Sequence, residues 1–114
     1  MSECLFCAIV EGKINANVVY RDDAIVAFKD IAPRAPVHIL IIPRKHLVSV
    51  SEITEADHGL IGQIFEVAAR LAREQGIADS GYRLVVNSGA DAGQSVFHLH
   101  YHLLGGRRMG WPPG

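Results

Sequence analysis

The sequence predicts an α+β protein: an antiparallel sheet of about five strands, one long helix packed on it and a short N-terminal helix. Three observations carry that prediction. Short β-branched and aromatic runs recur between breaks of Pro, Gly, Asn and Asp. Only one stretch, between Thr54 and Gly76, keeps apolar residues at helical spacing over several turns. The 114 residues hold no repeat, low-complexity segment or dividing linker, so 1–114 read as a single domain with one core.

Along the chain, LFCAIVEG predicts a short helix stopped at Gly12, because glycine readily takes the left-handed conformation that ends a helix. NVVYR and AIVAFKD flank Asp22-Asp23 and predict a hairpin. Pro33 and Pro36 interrupt the pattern, and VHILIIP then begins a third strand that ends at Pro43. Its nearly unbroken apolar run marks a central strand covered on both faces. Thr54 and Asp57 have the spacing of a capping box ahead of the long helix. There Leu60, Ile61, Ile64, Phe65, Ala68, Leu71 and Ala72 form the predicted buried face, and Gly76 closes the helix. YRLVVN is the fourth strand, SGADAGQS a glycine-bearing loop and HLHYHLLGG the fifth strand.

Composition narrows the function classes. A formal net charge of −1 gives no global basic field of the kind that drives nucleic-acid binding. RKH at 44–46 and RR at 107–108 are short clusters that read as solvated surface. The apolar run VHILIIP is far too short to span a bilayer. MSECLFCAIVEGK has no basic start and no small-residue cleavage site, so it does not read as a signal peptide. The expectation is a cytoplasmic protein with neither nucleic acid nor membrane as partner.

The run HLHYHLL concentrates chemistry. Alternation on a strand puts His98, His100 and His102 on one face and Leu99, Tyr101 and Leu103 on the other. Neighbours two apart sit roughly 7 Å apart along a strand, and the outer pair about 13–14 Å. With zinc–nitrogen bonds of only about 2.0–2.1 Å, a flat strand cannot bring all three rings to one ion. Two readings remain, locally paired core histidines or catalytic groups. The loop NSGADAGQS favours the second. Gly89 and Gly93 allow backbone amides to converge on phosphate oxygens, and Asn87, Gln94 and Ser95 add polar groups. A donor-rich loop opening into a row of histidines points to histidine attack on phosphorus with fixed donors holding the phosphate charge.

HLHYHLL matches the signature His-φ-His-φ-His-φ-φ, φ being apolar, and the chain resembles the histidine triad (HIT) family over essentially its whole length. FKDIAPRAPVHILIIPRKH, GYRLVVNSGADAGQSVFHLHYHLLGGR and the terminal WPPG resemble the nucleotide-binding (HINT) branch. The resemblance implies a HIT-like fold and a purine nucleoside phosphoramidase, or nucleotidyl hydrolase, acting on AMP or GMP esters and amides. It implies His100 as the nucleophile that forms a nucleotidyl-histidine, with His102 and His38 as the network behind it. Asp30 is then expected on the ribose hydroxyls, and Phe28 and Ile31 in the base and sugar pocket. Asn87, Gln94, Ser95 and His98 match positions that contact phosphate or leaving group, with His98 or Ser95 as the acid for the leaving amine. The alternatives are a non-catalytic nucleotide-binding scaffold and a dinucleoside polyphosphate hydrolase.

Cys4-Leu5-Phe6-Cys7 supplies two ligands of a possible tetrahedral zinc site; a redox pair and plain core cysteines are the competing readings. The resemblance implies His46 and His98 as the other two ligands of a structural zinc. That role conflicts with His98 as an acid, and the metal role ranks first. Family members form homodimers in which the tail around Trp111 reaches toward the partner's site. Gly110 stands where many relatives carry a larger polar residue, so their leaving-group preference does not transfer.

Overall fold

The computed structural model describes residues 4–114. The elements are α1 (Leu5–Val10), β1 (Val18–Arg21), β2 (Ile25–Lys29), β3 (Val37–Pro43), α2 (His58–Glu74), β4 (Tyr82–Val86) and β5 (Tyr101–Gly105), with 3₁₀ turns at Val50–Glu52, Glu55–Asp57 and Ala90–Ala92. This is the α+β arrangement expected. The strands form one antiparallel sheet in the order β1-β2-β3-β5-β4. β3 is central, and its residues from His38 to Pro43 are buried, as an unbroken apolar run requires. Among the described residues no helix is long and apolar enough to cross a membrane.

Strand alternation divides the core into two. Ile25, Ala27, Ile39, Ile41, Tyr101 and Leu103 point to one face, where they pack on Ile64, Val67, Ala68, Leu71 and Ala72 of α2. Val26, Phe28, Leu40 and Ile42 point to the other and meet Phe6 and Ile9 of α1. The same parity sends His38, beside Leu40's row, and His102 to this second face. A long helix thus seals one side of the sheet, and a six-residue helix covers only part of the other. That partial cover is what leaves room for a site.

Three expectations need correction. Phe65 is 53 % exposed and Val67 is buried in its place. The stripe facing the sheet runs 64, 67, 68, 71, 72, and Phe65 lies about 100° round the helix from Ile64, reaching only the edge of the Tyr101 ring at 5.8 Å. The capping box of Thr54 and Asp57 is present, but it opens on the 3₁₀ turn Glu55–Asp57 that leads into α2: the Asp57 carboxylate accepts from the Thr54 backbone N–H at 3.0 Å. Finally, β5 starts at Tyr101, so His98 and His100 precede the strand. Tyr101 pairs with Ile41, which would put Leu99 opposite Pro43 in the same register. Proline has no N–H for that ladder, and the Leu99 N–H donates instead to the Leu47 carbonyl at 2.6 Å.

Candidate functional site

The second face of the sheet holds a cavity of about 290 Å³. Leu5, Phe6 and Ile9 of α1, then Ile14, make one apolar wall with Phe28. Phe6 and Phe28 meet edge to face with centroids 5.5 Å apart. Asp30, Ser95, His100 and His102 line the polar part, and Ile31 is the fully exposed rim. Phe28, Asp30, Ile31, Ser95, His100 and His102 are therefore brought together as the sequence predicts. The contribution of α1 was not foreseen, although Leu5, Phe6 and Ile9 have the helical spacing of a buried face.

Hydrogen bonds fix each ring's proton. His100 is buried, and its Nδ1–H donates to the His98 carbonyl at 2.7 Å. A neutral imidazole carries one proton, so Nε2 of His100 holds a lone pair. The Phe6 ring stands perpendicular to it at 5.0 Å between centroids and limits its rotation. Behind it, the Arg34 backbone N–H donates to Nδ1 of His38 at 3.0 Å, which puts the His38 proton on Nε2. That Nε2–H donates to Nδ1 of His102 at 2.9 Å, leaving the His102 proton on its own Nε2. Burial, and next the His100 and His38 rings, push His102 down to about 4; burial also lowers His38, against the pull of Asp30. Both rings are thus neutral at pH 7, and the 3.4 Å approach of Asp30 Oδ2 to His38 Nε2 is not an ion pair. Asp30, His38 and His102 also converge closely enough to ligate a metal. The Arg34 amide argues otherwise, since it commits His38 Nε2 to a proton.

His98 faces away from this chemistry. It is fully buried, its Nε2–H donates to the Pro43 carbonyl at 2.8 Å, and it is absent from the cavity wall. Its remaining lone pair, on Nδ1, lies 3.4 Å from Cys4 Sγ, 3.5 Å from Cys7 Sγ and 3.1 Å from His46 Nδ1. Cys7 Sγ is 3.3 Å from His46 Nδ1. Tetrahedral ligands at zinc–sulfur and zinc–nitrogen bond lengths are about 3.3–3.8 Å apart. The separations of 3.3–3.5 Å to sulfur match that spacing and the 3.1 Å between the two rings is slightly tighter, so the four donors could hold a metal ion. Desolvation, then the Cys4 sulfur beside it, pushes the Cys7 thiol up to about 11, so an ion entering here must displace a proton.

Two residues expected at the phosphate do not line this cavity. Gln94 is buried with its amide fully engaged: Oε1 accepts from Gly89 N–H at 2.8 Å, and Nε2 donates to the Val48 and Val96 carbonyls at 2.7 and 3.1 Å. It holds the loop in shape and offers the cavity no free donor. Asn87 is half-buried at the end of β4, off the cavity wall.

A family model for the HIT domain matches residues 11–109. An uncharacterised HIT-like protein of Synechocystis is 49 % identical over 112 residues, covering 98 % of this chain and 97 % of that protein. A HIT family hydrolase from Legionella pneumophila has a TM-score of 0.97 at 49 % identity, covering 98 % of this chain and 100 % of the other. A histidine triad nucleotide-binding protein from Candida albicans has a TM-score of 0.82 at 30 % identity, covering 96 % and 83 %. With the triad, the sheet order and these likenesses in agreement, the chain belongs to the histidine triad (HIT) family.

Proposed function

We propose that this protein is a nucleotidyl hydrolase that cleaves purine nucleoside 5′-phosphoramidates or related AMP and GMP conjugates. The observation that carries the reading is the lone pair on His100 Nε2, set at the cavity by the Nδ1–H bond to the His98 carbonyl. Attack by Nε2 on phosphorus forms the N–P bond and breaks the bond to the leaving amine, which takes up a proton. Ser95 is the hydroxyl on the cavity wall that passes on that proton and regains one from the water that attacks in the second step. His98, with both nitrogens engaged elsewhere, is not that group. Water then attacks the nucleotidyl-histidine, releases the nucleoside monophosphate and restores the starting tautomer. The neutral His102 and His38 pair holds the proton balance behind the nucleophile.

The apolar wall of Phe6, Phe28, Ile9 and Leu5 suits a flat base, and Asp30 at the mouth suits the ribose hydroxyls. The cavity volume is near the lower end of the roughly 300 Å³ and upward typical of ligand sites, the size for one nucleotide. Zinc at Cys4, Cys7, His46 and His98 is a structural part of this reading, supplying cross-linking rather than Lewis-acid chemistry. The likeness to the histidine triad nucleotide-binding protein from Candida albicans supports the ligand class. By family resemblance we include a homodimer and a cytoplasmic location.

The test is release of AMP from adenosine 5′-phosphoramidate by wild type and by His100→Ala. Turnover by wild type, abolished in His100→Ala while AMP binding persists, supports the hydrolase. Wild type that binds AMP without turnover reduces the protein to a binding module.

A further inference from the structure

At Nδ1 the tautomer of His38 is set by one backbone amide, that of Arg34, in the exposed turn between β2 and β3. An exposed turn needs outside support to hold an amide at 3.0 Å from a buried ring. Two contacts from the segment after β5 give it. The Arg107 guanidinium Nε–H donates to the Arg34 carbonyl at 3.0 Å, and its Nη1 braces on the Arg108 carbonyl at 3.1 Å. One residue earlier, Gly106 runs so close to Pro36 that a Cβ there would lie 2.9 Å from the Pro36 Cβ. Gly106 also takes φ +92, which a side chain would disfavour. The carbonyl and the amide of Arg34 are thus bound to opposite partners, one on the tail and one in the site.

We propose that Arg107 is a positioning residue: by holding the Arg34 carbonyl it keeps the Arg34 N–H on His38, and so keeps His38 Nε2–H aimed at His102. The function assigned to this link rests on the hydrolase reading, but the link itself does not. Without Arg107 the turn relaxes, His38 Nδ1 loses its donor, and the ring can move its proton to Nδ1 or rotate. His102 then has no donor for its own Nδ1, and the tautomer order behind His100 is lost. A lysine at 107 can also donate to a carbonyl, so Arg107→Lys retains most of the effect.

The experiment compares wild type, Arg107→Ala and Arg107→Lys by long-range ¹H–¹⁵N spectra of the histidine rings and by kcat and KM for adenosine 5′-phosphoramidate. Arg107→Ala is expected to move His38 away from the Nε2-protonated form and to lower kcat about ten- to a hundredfold, with KM within about twofold. Arg107→Lys should restore both. An unchanged His38 spectrum in Arg107→Ala overturns the proposal, even if kcat falls. Should wild type show no turnover, the hydrolase reading fails while the spectra still decide the link. Gly106→Ala is an independent check, since its crowding of Pro36 should disturb the same His38 signal.

Discussion

His100 gives its Nδ1 proton to the carbonyl oxygen of His98, 2.7 Å away, while the His98 ring turns to the opposite side and meets two sulfurs. One residue therefore serves two places, its main chain orienting the His100 ring and its side chain joining the thiol cluster. In the neutral protein, ¹⁵N spectra should show His100 protonated at Nδ1 and His102 at Nε2. Finding the reverse for His100 would remove its lone pair from the cavity.

Acid should weaken the fold through His102. Its folded value is about 4 against an ordinary 6.5, so between those pH values the unfolded chain binds more protons. Stability therefore rises with pH across that window and falls as pH drops through it, and His38, also lowered, adds the same sign. Urea midpoints of wild type should fall more between pH 7 and 5 than those of His102→Asn. Parallel slopes would show that His102 does not titrate this way.

The thiol cluster makes its own prediction. Cys7→Ser weakens one of the four proposed ligands, and the variant purified from zinc-supplemented cells should carry less metal than wild type. Because the cluster ties α1 to the His46 and His98 segments, the stability loss should exceed the roughly 0.5 kcal/mol of an ordinary surface substitution. Metal stoichiometry by elemental analysis, paired with urea denaturation, measures both. Equal metal content in the two proteins would count against the assignment.

Gly105 is the most crowded of the described glycines. A Cβ there would lie 2.5 Å from Ile77 Cδ1, and Ile77 is buried. Gly105→Ala should cost about 1–3 kcal/mol by overpacking, and Ile77→Val in the same chain should recover part of it. A double mutant no more stable than Gly105→Ala alone would mean that the strain lies elsewhere.

Gln94→Ala should destabilise by about 1–3 kcal/mol, because it empties a buried site and strands the half-buried partners of the amide. If Gln94 instead contacts phosphate directly, the variant would lose AMP affinity at unchanged stability. Thermal melts and AMP titration separate the two.

Much of this was legible because periodicity and proline are strong signals. The apolar run from Val37 to Pro43 could only be an inner strand, and alternation put His102 on the face opposite Tyr101. Phe65 escaped because it is apolar and near the correct phase, and only packing decides which flank of a stripe is covered. Gln94 escaped because a polar side chain in a glycine loop looks the same whether it binds a ligand or the loop. The Arg34 amide could not be found at all, since backbone groups carry no residue signature. His98 was placed correctly with the cysteines only through family likeness; its sequence alternation with His100 says nothing about rings turning apart.

The order of the sheet has a consequence for how the chain is born. β5 is the last strand in sequence yet lies between β3 and β4, and His38 and His102 meet across 64 residues. Until Tyr101–Gly105 leaves the ribosome, β3 and β4 each expose an open edge, and the helical face has no finished partner. The histidine pair can therefore form only once Tyr101–Gly105 has docked between β3 and β4, and a partly made chain carries no half-built site.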